Sequence, residues 1–328
     1  MKRPEQPEPG ERSDAAEPLD RGALLTVARR HGVAPDDVRL AAFQGAAGWI
    51  YLLGDHLVLK VARPGAGLVA DLRKEALVVP FAVRQGVRTP EMVACGEIEG
   101  PARLPYLLLR RASGSVVGAN GGDPGDPGEV ACQELGRELA LLHGARVPPA
   151  VRDGLPVDRP VDPRPGIDRL AGLGYLSSSL ADWLGAWLAR LAEEAPASPE
   201  MVLIHGDIAA NNLLLDDEGS LTALLDWGDA AWADPAMEFA KVPPRLLPAV
   251  LTGYLGGPEA VAEAGRSWVA RALWHHLSWA VPRAMGQPDP VAKHWSAQPA
   301  NRLLELLRCY AEELPSPWAG WMRSQRLP

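Results

Sequence analysis

The chain has 328 residues, of which 47% are hydrophobic and 23% are charged, a composition typical of a soluble globular protein. This length is sufficient for one large domain or for two smaller ones with buried cores. The net charge of −8 argues against nucleic acid as the main partner, because binding to the phosphate backbone needs a basic face. No apolar run approaches the roughly 18 residues of a membrane-spanning helix. The N-terminal residues contain no apolar segment typical of a secretory signal.

Cysteine usage and the distribution of charge narrow the class further. Cys95, Cys132 and Cys309 are widely spaced and form no CxxC pair, which favours reduced thiols in a cytoplasmic protein. Up to Gly144 the chain has 17 Lys/Arg and 19 Asp/Glu, and the rest has 16 and 22, so the net charges are −2 and −6. The acidic second part favours a cationic small molecule through long-range attraction. An ordinary acidic surface explains the same numbers equally well.

The first part of the chain is predicted to be rich in strands. Residues 1–18 are polar and rich in proline and glutamate, which predicts a flexible tail. Asp20 is a favourable N-cap for a helix that would run to Arg30. The apolar runs and turns that follow predict strands at 38–43, 49–53, 56–61, 92–98 and 106–109, and a long helix at 68–86.

The second part is predicted to be mainly helical. A Gly/Asp/Pro segment at 118–128 predicts a flexible loop. Three short apolar runs, at 201–204, 213–215 and 221–225, are typical of short buried strands. Ten of the eleven tryptophans lie from Trp183 onward, which favours large buried aromatic side chains in this part. Helices are predicted at 129–143, 168–173, 178–194, 236–242, 245–255, 258–285 and 299–313.

Polar residues stand at the ends of the three short strands. His205, Asp207 and Asn212 lie between the first and second strands, and Asp226 follows the third. Because the second and third strands would form a small hairpin, Asp207, Asn212 and Asp226 are expected to converge at one end of it. Two carboxylates and an amide suit a hard cation and its phosphate ligand. The stretch therefore predicts phosphoryl transfer.

The order and spacing of these residues resemble the aminoglycoside phosphotransferase family, small-molecule kinases that share the protein-kinase-like fold. The resemblance extends from about residue 35 to the C-terminal helices. It implies a two-lobed α+β fold, with a nucleotide-binding lobe at 19–110 and a helical lobe at 111–328 that holds the catalytic loop and the acceptor pocket. The matching segments are His205-Gly206-Asp207, Asn212, Asp226-Trp227-Gly228 and Asp234-Pro235.

The resemblance implies a role for each residue of the central motif. Asp207 corresponds to the catalytic aspartate, which orients or deprotonates the acceptor hydroxyl. Asn212 and Asp226 correspond to the Mg²⁺ ligands, and the spacing from Asp207 selects Asn212 over its neighbour Asn211. His205 is expected to brace the loop by hydrogen bonding rather than to move protons.

Lys60 is the principal cation expected in the nucleotide-binding lobe. It lies within an apolar strand, where an unpaired ammonium group is costly to bury, so a carboxylate partner is expected. Glu75 on the following helix is the first candidate, and Asp71, one helical turn earlier on the same face, is the second. Kinases place such a lysine–glutamate pair beside the nucleotide phosphates, and the sequence resembles them here too.

Two further segments are implied to contact the nucleotide. The turn that contains Gly45 and Gly48 resembles the loop over the phosphates, since glycines let backbone N–H groups approach closely. Leu109, Arg110 and Arg111 lie in the segment that resembles the lobe connector, where backbone groups would bind adenine. Family members often carry an acidic residue where Arg110 stands, so both ATP and GTP remain open as the donor.

Three acidic residues near the motif are less specific. Asp234 and Glu238 are expected to support the metal loop structurally, and Asp229 faces either the substrate or solvent. A protein kinase is disfavoured because no APE-like segment follows Asp226. A catalytically silent nucleotide-binding module with the same fold remains an alternative. So does a dinucleotide-dependent oxidoreductase, because residues 65–70 fit a glycine-rich dinucleotide fingerprint.

The sequence therefore predicts a cytoplasmic small-molecule kinase that uses Mg²⁺ and transfers the γ-phosphoryl group of ATP or GTP. The expected acceptor is a hydroxyl of an aminoglycoside-like or other small polar molecule, either cationic or neutral, and antibiotic resistance is one role that the family implies. Neither nucleic acid nor a membrane is expected as a partner, and a monomer and a dimer are both compatible with the sequence.

Overall fold

The computed structural model describes residues 19–42, 44–45, 47–99, 103–117, 127–195, 200–288, 298–311 and 317–322. The flexible tail expected at 1–18 lies outside these residues, as does most of the loop expected at 118–128. Within the described ranges, no helix combines the length and the apolar character that crossing a membrane requires.

A five-stranded antiparallel sheet forms the N-terminal lobe. In chain order its strands are β1 (Val38–Leu40), β2 (Gly48–Leu53), β3 (Leu57–Ala62), β4 (Met92–Ile98) and β5 (Leu104–Arg110). Their order in space is β1-β2-β3-β5-β4, and every neighbouring pair is antiparallel. The central strand β3 is buried along its second half, so the sheet holds Lys60 in the interior.

Two helices accompany this sheet. Helix α1 (Arg21–Arg30) packs on it, and helix α2 (Ala66–Arg84) connects it to the rest of the molecule. The first half of α2 buries Leu72 against the sheet, whereas its second half buries Phe81 in the core of the helical lobe. Glu75, in the middle of α2, is therefore held at the boundary between the two cores.

The helical lobe contains two small antiparallel sheets, and the residues of the polar motif lie between their strands. Their strands are β6 (Ser115–Val116), β7 (Val202–Ile204), β8 (Leu213–Leu215), β9 (Leu221–Leu224) and β10 (Ala231–Ala233). Strands β6, β8 and β9 form one sheet in that order, and β7 pairs with β10 in the other. Neither β6 nor β10 was predicted, because neither contains a run of Leu, Ile and Val residues like those of β7 and β8.

The remaining helices enclose one large hydrophobic core, in which Trp187 and Phe239 are among the fully buried side chains. Most residues of α9 between Val269 and Val281 are buried, as expected of a central helix. In chain order these helices are α3 (Glu129–His143), α4 (Pro149–Arg152), α5 (Arg164–Gly172), α6 (Ser178–Glu194), α7 (Ala236–Phe239), α8 (Leu247–Leu255), α9 (Pro258–Arg283), α10 (Asn301–Ala311) and α11 (Trp318–Met322).

Helices α3 and α8 cross at unusually short range because each has a glycine at the contact. A Cβ atom built at Gly136 would lie 2.1 Å from the carbonyl oxygen of Val250. One built at Gly253 would lie 1.9 Å from the carbonyl oxygen of Gln133. No side chain fits at these distances, so the two glycines set the helix separation beneath the polar motif.

The architecture confirms the predicted α+β class and its order of strands and helices. Asp20 caps α1 through its carboxylate as predicted, and the helices predicted at 129–143 and 178–194 are present with those bounds. Residues 65–70 do lead from β3 into α2, but both neighbours of β3 are antiparallel to it. A dinucleotide-binding fold needs parallel βαβ units. The oxidoreductase interpretation of this segment is therefore wrong.

Candidate active site

A cavity of about 640 Å³ lies between the sheet of the N-terminal lobe and the small sheets of the helical lobe. Val58 and Lys60 of β3 line one side, and Asp207, Asn212 and Asp226 line the other. The three polar residues expected to converge therefore share one cavity wall, and the lysine expected at the nucleotide faces them.

Backbone pairing at the end of the β8–β9 hairpin sets the relative position of these three residues. The N–H group of Leu225 donates to the carbonyl oxygen of Asn212 at 2.8 Å, which places Asn212 next to the residue before Asp226. Asn212 Nδ2 donates to the Asp207 carboxylate at 2.9 Å. Asn212 is buried, whereas Asn211 is exposed and donates to Asn212 Oδ1 at 3.1 Å. Asn212 is thus the asparagine that links the two aspartates.

Lys60 forms two short ion pairs in the cavity. Its Nζ atom lies 2.6 Å from Glu75 Oε2 and 2.7 Å from Asp226 Oδ1. Lys60 and Glu75 are both buried. Asp71, the other candidate partner, instead pairs with Lys74 at 3.4 Å. Of the two carboxylates considered for Lys60, the structure selects Glu75.

These neighbours shift one another's titration. Burial alone would lower the pKa of Lys60, but Glu75 and Asp226 hold it above its ordinary value of 10.5. Burial raises the pKa of the Glu75 carboxyl, and Lys60 opposes this rise. Burial also opposes ionisation of Asp226, yet Lys60 holds the pKa of Asp226 below its ordinary value of 3.8. At neutral pH the lysine is therefore cationic and Asp226 is anionic.

The backbone of Asp226 adopts a conformation that aspartate rarely takes. It has φ 64° and ψ 78°, in the left-handed region, and is the one non-glycine residue with positive φ in the described part of the chain. The next residue anchors it, because Trp227 is buried and its Nε1 donates to Thr89 Oγ1 at 3.0 Å. Such strain costs about 1–3 kcal/mol and clusters at functional sites. The backbone thus marks Asp226 independently of its side-chain contacts.

His205 braces the loop, as the sequence predicts. It is fully buried, and its Nδ1 atom accepts the backbone N–H of Asp207 at 3.2 Å. Because Nδ1 is an acceptor, Nε2 carries the proton that is donated to the carbonyl oxygen of Leu225 at 3.0 Å. Both ring nitrogens are therefore engaged with the backbone, and the imidazole ties the loop to the end of β9.

Glu238 holds the same loop through hydrogen bonds to its backbone. Its carboxylate accepts the backbone N–H groups of His205 at 2.6 Å and Gly206 at 2.9 Å, and it is fully buried. Gly206 has φ +83°, and a Cβ atom there would lie 2.2 Å from the carbonyl oxygen of Asp229. The loop therefore needs both the glycine and the buried carboxylate to take its shape.

Asp234 anchors the short helix α7 on which Glu238 stands. Its carboxylate accepts from Arg271, from His275 Nε2 at 3.2 Å, and from the backbone N–H of Ala236 at 2.8 Å. Burial opposes ionisation, but the hydrogen bonds from His275 and Arg271 lower the pKa of Asp234 to about 2. Asp234 thus holds α7 in place by hydrogen bonds, and Glu238 on α7 holds the loop in place by further hydrogen bonds. Both residues therefore support the loop structurally, as expected.

Lys241 was missed by the sequence analysis. It follows α7, and its Nζ atom lies 3.1 Å from Asp207 Oδ1. Nothing in the sequence distinguishes this lysine from one on a solvated helix end. It contributes a second positive charge to the site. This charge contacts Asp207, whereas that of Lys60 contacts Asp226.

Asp229, whose orientation the sequence left open, is exposed and lines the cavity. The surrounding cavity walls partly remove water from its carboxyl and raise its pKa, as does the nearby Asp207, while Lys241 opposes the rise. Asp229 therefore faces the cavity, where its carboxylate can contact a bound ligand.

The turn before β2 contributes one of the two glycines expected at the phosphates. Gly45 lines the cavity, whereas Gly48 begins β2, where a Cβ atom would lie 2.8 Å from the carbonyl oxygen of Val61. Gly48 thus permits close strand pairing. The side chain of Gln44 bonds both the N–H and the carbonyl of Ile50, at 3.0 and 2.9 Å, and shapes the turn.

The segment expected to bind adenine uses part of its backbone within the sheet. The N–H group of Arg110 donates to the carbonyl oxygen of Glu91, and that of Arg111 donates to the carbonyl oxygen of His56, each at 2.8 Å. The Arg110 side chain turns outward and pairs with Glu91 at 2.9 Å. Leu109 does line the cavity. A base bound here would contact Leu109 and use backbone groups other than these two donors.

The donor set at the hairpin end fits Mg²⁺. Asp226 offers a carboxylate and Asn212 an amide oxygen, and a hard cation accepts both alongside phosphate oxygens and water. Within the described residues, no group of three or more His, Cys, Asp or Glu side chains could hold a metal ion by itself. A cation at this position would therefore depend on a bound ligand to complete its coordination.

The fold matches several solved phosphotransferases. The GDP complex of aminoglycoside 2'-phosphotransferase-IIIa superposes with a TM-score of 0.60 at 19% identity, over 81% of this chain and 92% of that chain. Macrolide 2'-phosphotransferase MphH from Brachybacterium faecium gives 0.53 at 20% identity, over 80% and 94%. ADP-bound APH(2'')-Ib gives 0.54 at 14%, over 83% and 93%. At such identities the likeness establishes the fold, which is the expected two-lobed, protein-kinase-like one.

Sequence comparison identifies the family. The uncharacterized protein YcbJ of Bacillus subtilis (strain 168) is 31% identical over 156 residues, which are 47% of this chain and 49% of that protein. The chain thus spans about half the length of the curated relative it matches. The family model described as the phosphotransferase enzyme family, APH, matches residues 39–280, which include Lys60 and the whole polar motif. The chain belongs to the APH phosphotransferase enzyme family.

Proposed function

We propose that this protein is a small-molecule kinase that transfers the γ-phosphoryl group of a nucleoside triphosphate to a hydroxyl of a small acceptor. The observation that carries the proposal is the contact of Lys60 Nζ with Asp226 Oδ1 at 2.7 Å in a cavity that Asp207 also lines. Phosphoryl transfer needs charge neutralisation at the phosphates and an oriented nucleophile. In this cavity Lys60 would neutralise charge at the phosphates, Asp226 would hold a cation that does the same, and Asp207 would orient the nucleophile.

Asp207 is the proposed catalytic residue. The acceptor oxygen forms a bond to the γ-phosphorus while the bond from that phosphorus to the bridging oxygen breaks, which yields a phosphate ester and a nucleoside diphosphate. The hydroxyl proton passes to Asp207 and then to solvent. A hydrogen bond from Asn212 at 2.9 Å fixes the orientation of the carboxylate, and Lys241 lies 3.1 Å from its other oxygen.

The nucleotide is proposed to bind between the turn at Gly45 and the connector at Leu109, both of which line the cavity. Lys60, held by Glu75, would contact its phosphates. The base would pack at Leu109, while the side chain of Arg110 points away from it. ATP and GTP are both candidate donors, and structural relatives of this chain have been solved with ADP and with GDP.

Mg²⁺ is the proposed cofactor, held by Asn212 and Asp226. When bound it supplies positive charge at the phosphate oxygens. The protein's own contribution is to keep Asp226 ionised through Lys60 and to hold Asn212 in place through Asp207. The strained backbone of Asp226 serves the same purpose, because it points the carboxylate into the cavity.

An aminoglycoside-like cation is one candidate acceptor. Kanamycin and gentamicin are named in complexes of two structural relatives. In this chain Asp229 is the carboxylate that would receive an ammonium group, since it lines the cavity near Asp207. The competing functional class, a silent nucleotide-binding module, is disfavoured because the proposed catalytic and metal-binding residues are all present.

The proposal is tested with a panel of hydroxylated acceptors incubated with the protein and Mg-ATP or Mg-GTP. Release of nucleoside diphosphate and an acceptor mass gain of one phosphate are the expected results. The variant Asp207→Asn serves as the control, and it should lower both signals by roughly 10²–10⁴-fold while still binding nucleotide. Nucleotide binding without turnover on any acceptor would support the silent module instead.

A further inference from the structure

A tryptophan beside Asp207 is flanked by two cations. Lys241 Nζ lies 5.0 Å from the ring centroid of Trp279 on α9, and the guanidinium carbon of Arg302 on α10 lies 5.3 Å from the same centroid. Arg302 is buried, with 2% of its surface exposed. Cation–π attraction holds both charges at the ring. Lys241, Trp279 and Arg302 therefore form a basic wall, which reaches Asp207 through Lys241 and is not part of the lining of the 640 Å³ cavity.

Arg302 remains positive at neutral pH although its surroundings oppose the charge. Burial and the like charge of Arg283 lower the pKa of Arg302 to about 9, while Asp207 opposes this shift. Arg302 thus remains a cation that interacts with both Arg283 and Asp207. His276, whose Nδ1 lies 3.4 Å from Arg302, is kept neutral because burial and Arg302 lower its pKa. The histidine therefore adds no charge to the wall.

Lys241 is the member of the wall that a ligand can reach. Its side chain is 21% exposed and that of Asp207, 3.1 Å away, is 29% exposed, so a ligand that reaches Asp207 can also contact Lys241. In this arrangement Asp207 Oδ1 is bonded to Lys241, and its other carboxylate oxygen is bonded to Asn212. An acceptor hydroxyl that is to bind Oδ1 must compete with the lysine for it.

We propose that the acceptor carries an anionic group, a carboxylate or a phosphate, near the hydroxyl that is phosphorylated, and that Lys241 binds this group. The anionic group would replace Asp207 as the partner of Lys241 and leave Oδ1 to the acceptor hydroxyl. Arg302 strengthens the attraction from behind the tryptophan. Lys241 is then a specificity-determining residue, and this assignment rests on the proposed phosphotransferase function.

A cationic acceptor is the competing outcome, because Asp229 also lines the cavity and would bind an ammonium group. The two carboxylates Asp207 and Asp229 raise the local negative potential, but Lys241 acts on both of them. An ammonium group brought to Asp207 would meet Lys241 at contact distance and Arg302 behind it. An anionic group at the same place is attracted by both.

The test uses three six-carbon probes of similar size and different charge, D-gluconate, D-glucose and D-glucosamine. Each is titrated by calorimetry into the full-length protein saturated with Mg-ADP. Gluconate is expected to bind about tenfold or more tightly than glucose, since one charge-assisted hydrogen bond is gained. Glucosamine is expected to bind more weakly than glucose. Gluconate that fails to bind, or binds no better than glucose, overturns the proposal.

Two variants separate Lys241 from general electrostatics. Lys241→Met should remove the advantage of gluconate, and Lys241→Arg should restore most of it. Arg266→Met is the matched control, because it removes one cation from α9 at the surface, where Arg266 pairs with Glu194 at 2.6 Å. The advantage should persist in this control. If Lys241→Met keeps the advantage, or if glucosamine binds best and Asp229→Asn abolishes its binding, the anionic acceptor is refuted.

The same titrations distinguish this proposal from the phosphotransferase proposal. Saturation with Mg-ADP is measured first, and its failure would count against the kinase function alone. Gluconate can then still be titrated into the nucleotide-free protein to examine Lys241. Conversely, normal Mg-ADP binding together with a preference for glucosamine would overturn only the anionic acceptor.

Discussion

Asp234 allows a quantitative test of how the fold supports the catalytic loop. It anchors α7, and Glu238 on α7 holds the backbone of the loop before Asp207. The substitution Asp234→Asn removes the charge at almost unchanged volume. It leaves Arg271, which is about as buried as its partner, facing a neutral amide.

The expected size of the effect follows from the pKa of Asp234. Burial opposes ionisation, but His275 and Arg271 lower that pKa from 3.8 to about 2. At about 1.36 kcal/mol per pKa unit, the ionised carboxylate stabilises the fold by about 2 kcal/mol. Because the folded pKa is depressed, this contribution is present above about pH 4 and is lost as the pH falls towards 2. Stranding the buried Arg271 raises the total cost at pH 7 to roughly 3–5 kcal/mol.

Urea unfolding followed by tryptophan fluorescence measures this cost at pH 7, 5, 4 and 3. The stability difference between the wild type and Asp234→Asn should be constant at the two higher pH values and should narrow below about pH 4. Asp162→Asn is the matched control, since Asp162 pairs with Arg164 at 2.8 Å on an exposed surface. Exposed pairs contribute little. A difference that does not change with pH, or a control as costly as Asp234→Asn, would refute the reasoning.

Four further substitutions test the site and the fold. Asp207→Asn should lower turnover by roughly 10²–10⁴-fold in a coupled assay of diphosphate release, and full activity would remove this residue from the mechanism. Asp226→Asn should weaken Mg²⁺-dependent nucleotide binding about tenfold or more by calorimetry, and an unchanged affinity would contradict its role. Gly253→Ala should destabilise the protein by about 1–3 kcal/mol, because its Cβ atom would meet a backbone oxygen at 1.9 Å. Gly185→Ala, where nothing lies within 4 Å, should stabilise it by about 0.4–1 kcal/mol in the same urea titrations; the opposite order would argue against the close helix crossing.

The parts of the site that the sequence predicted are those that a single physical requirement determines. A hairpin brings together the residues before its first strand and after its second strand, so Asn212 and Asp226 were expected to lie close together. In the structure the carbonyl oxygen of Asn212 accepts the N–H of Leu225, the residue before Asp226. A buried ammonium group requires a carboxylate, so Lys60 required a partner on a nearby element. Glu75 and Asp71 were separated only by the structure, in which helix α2 turns Glu75 inward.

The parts that were not predicted depend on pairing between distant segments. Strand β10 exists because Ala231–Ala233 lies against β7, and it contains no run of Leu, Ile and Val residues of its own. Similarly, Gly48 looked like a phosphate-binding glycine because a turn and a tight strand pair both require glycine. Gly48 is assigned to the strand pair because a Cβ atom built there would lie 2.8 Å from the carbonyl oxygen of Val61. The backbone donors of Arg110 and Arg111 could not be excluded until their partners were known.

Lys241 bears on the expectation, drawn from net charge, that the acceptor is cationic. The second part of the chain carries a net charge of −6, which favoured a cationic ligand. Salt screens exposed charges beyond about 8 Å, so a molecule at Asp207 responds mainly to the groups in its immediate neighbourhood. There Lys241 contacts Asp207 at 3.1 Å, and Arg302 stands behind the same tryptophan. Because Lys241 and Arg302 are far apart in the sequence and are brought to the same tryptophan by the fold, the basic wall is a property of the fold. The charge of the acceptor is expected to follow this wall rather than the composition.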